Sequence, residues 1–333
     1  MQITNNHEIS LPMAVWLLHD EYDYIREENY ISATSLLKST KQIILSKRVP
    51  SENREADVTD FLAARFGHAV HDSIEKAWRS AALPSIMKRL GYPDAVADNL
   101  VVNPTEDYLK DNPNTIPVWI ELRSIKEVTL PDGTKWKVGG KFDMVLDGRL
   151  FDFKTTSVYA YIKGSKDEDY AAQGGIYRWL NPDLIESDHI FIQFMFTDWQ
   201  RAEANRNPNY PQQKAKEYPV LLPSIKDSHD FVVAKLQELS RLWDAPEDKL
   251  PDCTDKELWR SDPQFKYYSD PEKAKDPNAR PTKHFDSLAE AEAFKREKGK
   301  GVVITKLGEV KACAYCAVFP VCKQRLQYDF EDV

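Results

Sequence analysis

No run of apolar residues in this chain approaches the roughly 20 that a membrane-crossing helix requires. The opening segment MQITNNHEISLPMAVWLLHDEYDY has a short apolar stretch, with no basic region ahead of it and no small-residue cleavage site behind it. A cytoplasmic chain with no membrane partner is the expectation. Nor is there a basic excess: 53 Asp and Glu stand against 45 Lys and Arg, a net charge of -8. A small sequence-specific DNA-binding module would lean basic, whereas bound cations can offset the carboxylates of a larger protein, so charge neither favours nor excludes nucleic acid. Repeats and low-complexity tracts are absent. Cysteine is scarce, with four residues that all fall after position 250. In a reducing compartment these are metal ligands or free thiols rather than disulfides. What is plentiful is core material: 333 residues with 15 Tyr, 14 Phe and 8 Trp fill one large domain, or a domain with an appended lobe.

Hydrophobic spacing gives the order of elements. Ser32 is a candidate N-cap for a helix over SATSLLKSTKQIILSKR. VTDFLAARFGHAVHDSIEKAWRSA has apolar residues at helical spacing, including Phe61, Phe66, Val70, Ile74 and Trp78. The texture then becomes β-branched. VWIELRSIKEVTL, WKVGGKFDMVLDG and RLFDFKTTS read as three strands, joined by turns at Pro131-Asp-Gly and Asp147-Gly148. A helix over DYAAQGGIYRWLNP and a buried strand over HIFIQFMFTDW follow. This order predicts an α/β fold, a mixed sheet flanked by helices. Residues 200–219, polar and rich in Pro and Asn, read as an exposed loop, and SIKDSHDFVVAKLQELSRLWDAP as a helix. Beyond Pro246–Pro251 lie a polar stretch from Asp262 to Pro281, a helix over SLAEAEAFKREKG and a short VVIT strand. The expected division is a helical N-terminal segment over 1–60, a core over 61–246 and a cysteine-cluster region over 247–333.

The most informative stretch is GGKFDMVLDGRLFDFKTTS. Asp152 and Lys154, two apart on one strand, share a face, while Phe151 and Phe153 turn toward a core. Pairing across the Asp147-Gly148 turn brings Asp143 beside them. Carboxylates that meet on a sheet need a cation between them, and hard oxygen ligands favour Mg²⁺ or Mn²⁺. A lysine there can orient a water or stabilise charge developing on a phosphate. Taken alone, Asp-x-Lys is equally well a solvated strand end with a surface ion pair. His71 and Glu75 share a helical face and could be just an ion-paired surface. His68, three residues earlier, competes with His71 for any ligand role. Tyr177, one turn after Gln173, reads as a core residue with a wet hydroxyl.

Gly140-x-x-Asp143 followed by Asp152-x-Lys154 resembles the core motif of the PD-(D/E)XK nuclease superfamily. Further matches point to its RecB-like branch: Gly67-His-Ala-Val-His71-Asp-Ser-Ile-Glu75, Gln173-Gly-Gly-Ile-Tyr177 and the Ser-rich YISATSLL. They stand in the family's order over about residues 30–200. The resemblance implies a PD-(D/E)XK fold in which His71, Asp143 and Asp152 hold Mg²⁺ or Mn²⁺, with the Phe153 carbonyl as a further ligand. It makes Lys154 the catalytic lysine, has Gln173 position Lys154 or the DNA backbone, and has Tyr177 touch DNA or support the site. Glu121 is an accessory acid on a strand beside the site. Asp rather than Glu at 152 leaves the number of metals open.

Cys313-x₂-Cys316-x₅-Cys322 with Cys253 offers four thiolates, enough for tetrahedral zinc or a four-iron cluster. Resemblance to AddB-type and CRISPR-associated RecB-like nucleases implies a [4Fe–4S] cluster. In those relatives, however, the distant cysteine precedes the core, whereas Cys253 follows it. The expected function is a DNA nuclease of a bacterium or phage, an exonuclease on single-stranded or end-containing DNA, in repair, recombination or processing. The alternatives are a catalytically silent nuclease fold that binds DNA or a partner, and a zinc-stapled accessory subunit of a helicase–nuclease.

Overall fold

The computed structural model describes residues 2–49, 55–164, 166–276 and 278–328. Among the described residues, twelve strands run in chain order. They are β1 (Gln2–Thr4), β2 (Tyr30–Ser32), β3 (Glu55–Asp57), β4 (Leu100–Val102), β5 (Ile116–Thr129), β6 (Lys135–Leu146), β7 (Arg149–Thr156), β8 (His189–Phe196), β9 (Ala215–Leu221), β10 (Gln264–Tyr268), β11 (Lys283–Phe285) and β12 (Val302–Lys306). The chain forms two compact units, Met1–Lys38 with Pro50–Trp243, and Ser39–Val49 with Asp244–Val333.

The first unit is built on a seven-stranded mixed sheet in the order β4-β5-β6-β7-β8-β9, with β2 added parallel to β6. Its centre is the predicted meander. β5 and β6 pair antiparallel from Val118–Leu146 to Thr129–Lys135, and β6 turns back into β7 through Asp147-Gly148. Those two residues have φ of 52° and 66°, the left-handed pair that a tight Asp-Gly hairpin turn requires. β7 and β8 are parallel, so the chain must cross over, and the helices Val158–Lys163 and Asp167–Leu180 supply the crossover.

The second of these helices approaches closely because Gly174 and Gly175 lack side chains. A Cβ on Gly174 would meet Leu222 and Ile190, and one on Gly175 would meet Pro223 and Ser228. Gly140 has the same reason to be glycine, since Tyr177 and Leu180 of that helix would lie 2.9 Å from its Cβ.

Several expectations are corrected. Residues 200–219 are not one loop: Arg201–Arg206 is helical and β9 pairs antiparallel with β8. β9 is polar because it is the edge of the sheet, where Glu217 pairs with Arg149 at 3.0 Å and Pro219, which lacks an N–H, is tolerated. The first 60 residues are not simply helical, because β1 pairs with β3 and β2 joins the main sheet. The helix expected from Ser32 to Arg48 is two helices, Ala33–Leu36 and Thr40–Arg48, each with its own serine N-cap. Ser32 accepts from Ser35 N at 3.2 Å and Ser39 from Gln42 N at 3.1 Å.

In the second unit β10 is the middle strand of a small antiparallel sheet, and the helix Leu288–Lys298 connects β11 to β12. Phe294 of that helix packs its ring 5.1 Å from Tyr267 and 5.2 Å from Phe285. The buried Lys41 of helix Thr40–Arg48 is ion-paired with Asp252, which ties that helix to the later segment. Among the described residues, no helix is long and apolar enough to cross a membrane.

Candidate metal centre

His71 is carried by the helix Leu62–Trp78, which runs close over β7. Gly67, one turn earlier, would place a Cβ 3.9 Å from Thr155 Oγ1. Ile74 and Trp78 of this helix pack on the cluster Val118, Ile120 and Met144, as do Phe151 and Phe153 of β7. The Phe151 and Phe153 side chains thus face a core as alternation predicts, and Asp152 and Lys154 point to the other face, under the helix Asp167–Leu180.

β6 and β7 part after the Met144–Phe151 pair, and Asp143 fills the opening. Its Oδ2 accepts a hydrogen bond from the Phe153 amide at 2.8 Å. His71 Nε2 stands 2.9 Å from the Phe153 carbonyl oxygen, so both peptide groups of Phe153 are held by site residues. His71 Nδ1 lies 3.6 Å from Asp143 and 3.8 Å from Glu121. One ligand atom from each of His71, Glu121 and Asp143 falls within 4.8 Å of the others. An imidazole and two carboxylates beside a peptide carbonyl form a donor set of the kind that holds a divalent cation.

Glu121 belongs to this group through an unusual backbone. The pairs Ile120–Met144 and Leu122–Phe142 bracket it, which sets it opposite Asp143, and its φ is +50°. Side-chain alternation changes phase at this point. Val118, Ile120 and Met144 face the His71 helix, but Lys126 lies over Trp179 and Gly140 lies under Tyr177, both on the opposite helix. A non-glycine residue in the left-handed region inside a strand costs on the order of 1 kcal/mol or more. Such strain persists only where surroundings enforce it.

Asp152 and Lys154 share one face of β7 beside Asp143, as alternation predicts. The Asp152 side chain is 3% exposed and ion-pairs with Lys154 Nζ at 2.7 Å. It lies outside the His71–Glu121–Asp143 group and acts on Asp143 as a neighbouring charge. Glu121, expected as an accessory acid, is thus one of the three converging residues, and Asp152 stands beside them on Lys154. Gln173 Nε2 donates to Tyr177 Oη at 2.9 Å, and Tyr177 is buried. His68 turns away from the site: its Nδ1 stands 3.1 Å from Arg65.

Electrostatics follow from crowding. Burial, and then the Asp152 charge, push the Asp143 carboxyl up to about 7. Burial works against the His71 imidazolium, but Glu121, Asp143 and the Phe153 carbonyl outweigh it and raise the group to about 9. Burial likewise opposes the Lys154 ammonium, and Asp152 and Asp143 overcome it. Burial first, joined by the Asp152, Asp143 and Tyr22 charges and opposed by the Gln173 hydrogen bond, raises the Tyr177 phenol well above its ordinary range. Without a cation, therefore, protons supply the positive charge that balances these acids.

Cys253, Cys313, Cys316 and Cys322 are half-buried and form no disulfide. Burial first, then the neighbouring Cys316, Cys322 and Cys253, push the Cys313 thiol up to about 11, so the other three cysteines lie close enough to act on it. Gln324, which sequence pattern did not single out, clamps Cys253 to the C-terminal turns. It accepts from the Cys253 amide at 2.8 Å and donates to its carbonyl at 3.0 Å. Cys253 also donates to Ser39 Oγ at 3.2 Å.

No family model matches this chain, and no curated protein does. The crystal structure of SSO0001 is similar over 70% of this chain and 86% of its own, at 16% identity and a TM-score of 0.41. A likeness this distant carries no argument about family or activity.

Proposed function

We propose that the chain is a divalent-cation-dependent deoxyribonuclease of the PD-(D/E)XK type and RecB-like branch, acting as an exonuclease on single-stranded or end-containing DNA. One observation carries the reading: His71, Glu121 and Asp143 converge within 4.8 Å beside the Asp152–Lys154 pair. His71, Glu121 and Asp143, with the Phe153 carbonyl, would hold one Mg²⁺ or Mn²⁺. Such an ion lowers the pKa of a bound water and stabilises charge on a phosphoryl oxygen.

The chain's own residues do the rest. Asp152 keeps Lys154 charged and aimed, and the Lys154 ammonium stabilises negative charge building on the phosphate or orients the attacking water. Tyr177, fixed by Gln173 and seated on Gly140, supports the floor of the site. We further propose that Cys253, Cys313, Cys316 and Cys322 ligate a [4Fe–4S] cluster that staples the second unit without taking part in hydrolysis, zinc being the other outcome of metal analysis. A role in DNA repair, recombination or processing in a bacterial or phage-infected cytoplasm, alone or beside a helicase, completes the proposal.

The test is digestion of labelled single- and double-stranded DNA with Mg²⁺ or Mn²⁺. Cleavage lost in EDTA and in Asp143→Ala supports the reading. Folded, cation-loaded protein that cuts neither substrate overturns it.

A further inference from the structure

One register step beyond Glu121 and Asp143, Arg123 pairs across the sheet with Lys141. The two cations are built into the longest strand pair of the fold, and their side chains are only 17% and 21% exposed. Both reach the same acid, Asp23, which lies on the irregular segment after the first helix, Leu11–Leu18. Arg123 grips Asp23 as a fork, Nε to Oδ2 at 3.2 Å and Nη2 to Oδ1 at 2.7 Å, with Nη2 also donating to the Asp23 carbonyl at 3.1 Å. Lys141 Nζ lies 3.7 Å from Asp23 Oδ1 and 2.9 Å from Glu121 Oε2. The Tyr22 ring covers the Arg123 guanidinium at 5.4 Å and the Lys141 ammonium at 4.7 Å.

We propose that Arg123 and Lys141 form a phosphate subsite next to the metal centre, and that Asp23 occupies it in the free protein as a stand-in for a backbone phosphate of the nucleic-acid substrate. This rests on the nuclease reading above. Three features support it. A guanidinium fork with a second cation matches two oxygens of a phosphodiester as well as it matches a carboxylate. Arg123 is two strand residues from Glu121, on the order of 7 Å, the kind of reach that separates a scissile phosphate from its neighbour. The occupant is also the more exposed partner. Asp23 is 65% exposed and sits outside regular structure, so substrate can displace it while the half-buried cations stay fixed. Glu121, on the far side of Lys141, keeps that ammonium beside the metal centre when Asp23 leaves.

The test titrates the whole chain and its Asp23→Asn variant, in EDTA so that nothing is cut, with inorganic phosphate and separately with a labelled single-stranded oligonucleotide. Asp23→Asn is expected to tighten both about threefold to fivefold, the scale of one exposed ion pair. Adding Arg123→Gln should erase the gain. If that double variant does not fold, Arg123→Lys, which keeps the charge and loses the fork, replaces it and should remove most of the gain. Unchanged or weaker binding of both ligands by folded Asp23→Asn overturns the subsite. Tighter phosphate with an unchanged oligonucleotide overturns the assignment to nucleic acid. An oligonucleotide that fails to bind even the unaltered chain counts against the nuclease reading, and the phosphate titration then still decides the subsite.

Discussion

Glu121 stands opposite Asp143 in the β5–β6 ladder, and its φ of +50° turns its carboxylate toward the His71 imidazole. The proposed ligand role and the strained backbone make opposite demands on this residue, and substitution can separate them. Glu121→Gly should be at least as stable as the parent, because glycine occupies the left-handed region without penalty, worth up to about 1 kcal/mol. It should nevertheless lose most of its Mn²⁺ affinity and activity. Glu121→Gln keeps the strain and should lose affinity by about tenfold or more, as removal of one anionic ligand implies. Thermal melts and calorimetric Mn²⁺ titration check both. Full metal affinity in a folded Glu121→Gly would remove Glu121 from the centre.

In the proposed reaction Lys154 would serve both chemistry and stability. With Asp152 only 3% exposed, removing its partner strands a buried charge. Lys154→Ala is therefore expected to abolish cleavage and to cost on the order of 3 kcal/mol. Adding Asp152→Asn should recover much of the stability and none of the activity. Denaturant melts and a digestion assay read the two effects apart, and an active Lys154→Ala protein would end the lysine's catalytic role.

How far the sequence discloses this arrangement depends on the range of the interaction. The Asp147-Gly148 turn, the three meander strands and the helix bearing His71 are local matters of turn chemistry and periodicity, and they are where spacing puts them. Glu121 was legible only as an acid on a neighbouring strand, because alternation assumes a uniform strand and gives no sign of a residue that reverses its phase. The edge strand β9 looked like a loop because nothing needs to cover its outer side. The grouping of Ser39–Val49 with the C-terminal unit depends on Lys41 meeting Asp252 far along the chain, which no window of sequence contains.

Cation binding should depend on pH in a defined direction. A divalent ion must displace the protons that hold the free site neutral. Asp143 titrates at about 7 and His71 at about 9, both above their ordinary values, so each must lose a proton that it retains near neutrality. Affinity for Mn²⁺ should therefore climb as pH rises through that window, with proton release that shrinks toward its upper end. His71→Ala should flatten the upper part of the profile and leave the lower rise, which belongs to Asp143. Titration calorimetry in buffers of different ionisation enthalpy measures the protons directly, and affinity that falls across the window would contradict the assigned ligands.

The cysteine region offers a test independent of hydrolysis. Protein purified without oxygen should be brown and carry close to four irons per chain, with broad visible absorbance. Cys253→Ser is the decisive variant, because Cys253 is remote in sequence from Cys313, Cys316 and Cys322 and is brought to them by the Gln324 clamp. It should lose most of the iron and lower the melting temperature of the second unit while Mn²⁺ binding at His71, Glu121 and Asp143 persists. Gln324→Ala removes both clamp hydrogen bonds and leaves all four thiols, so it should retain iron but release it faster to a chelator. Stoichiometric zinc without iron would replace the cluster by a tetrahedral site. Full iron content in Cys253→Ser would move the fourth ligand to another residue.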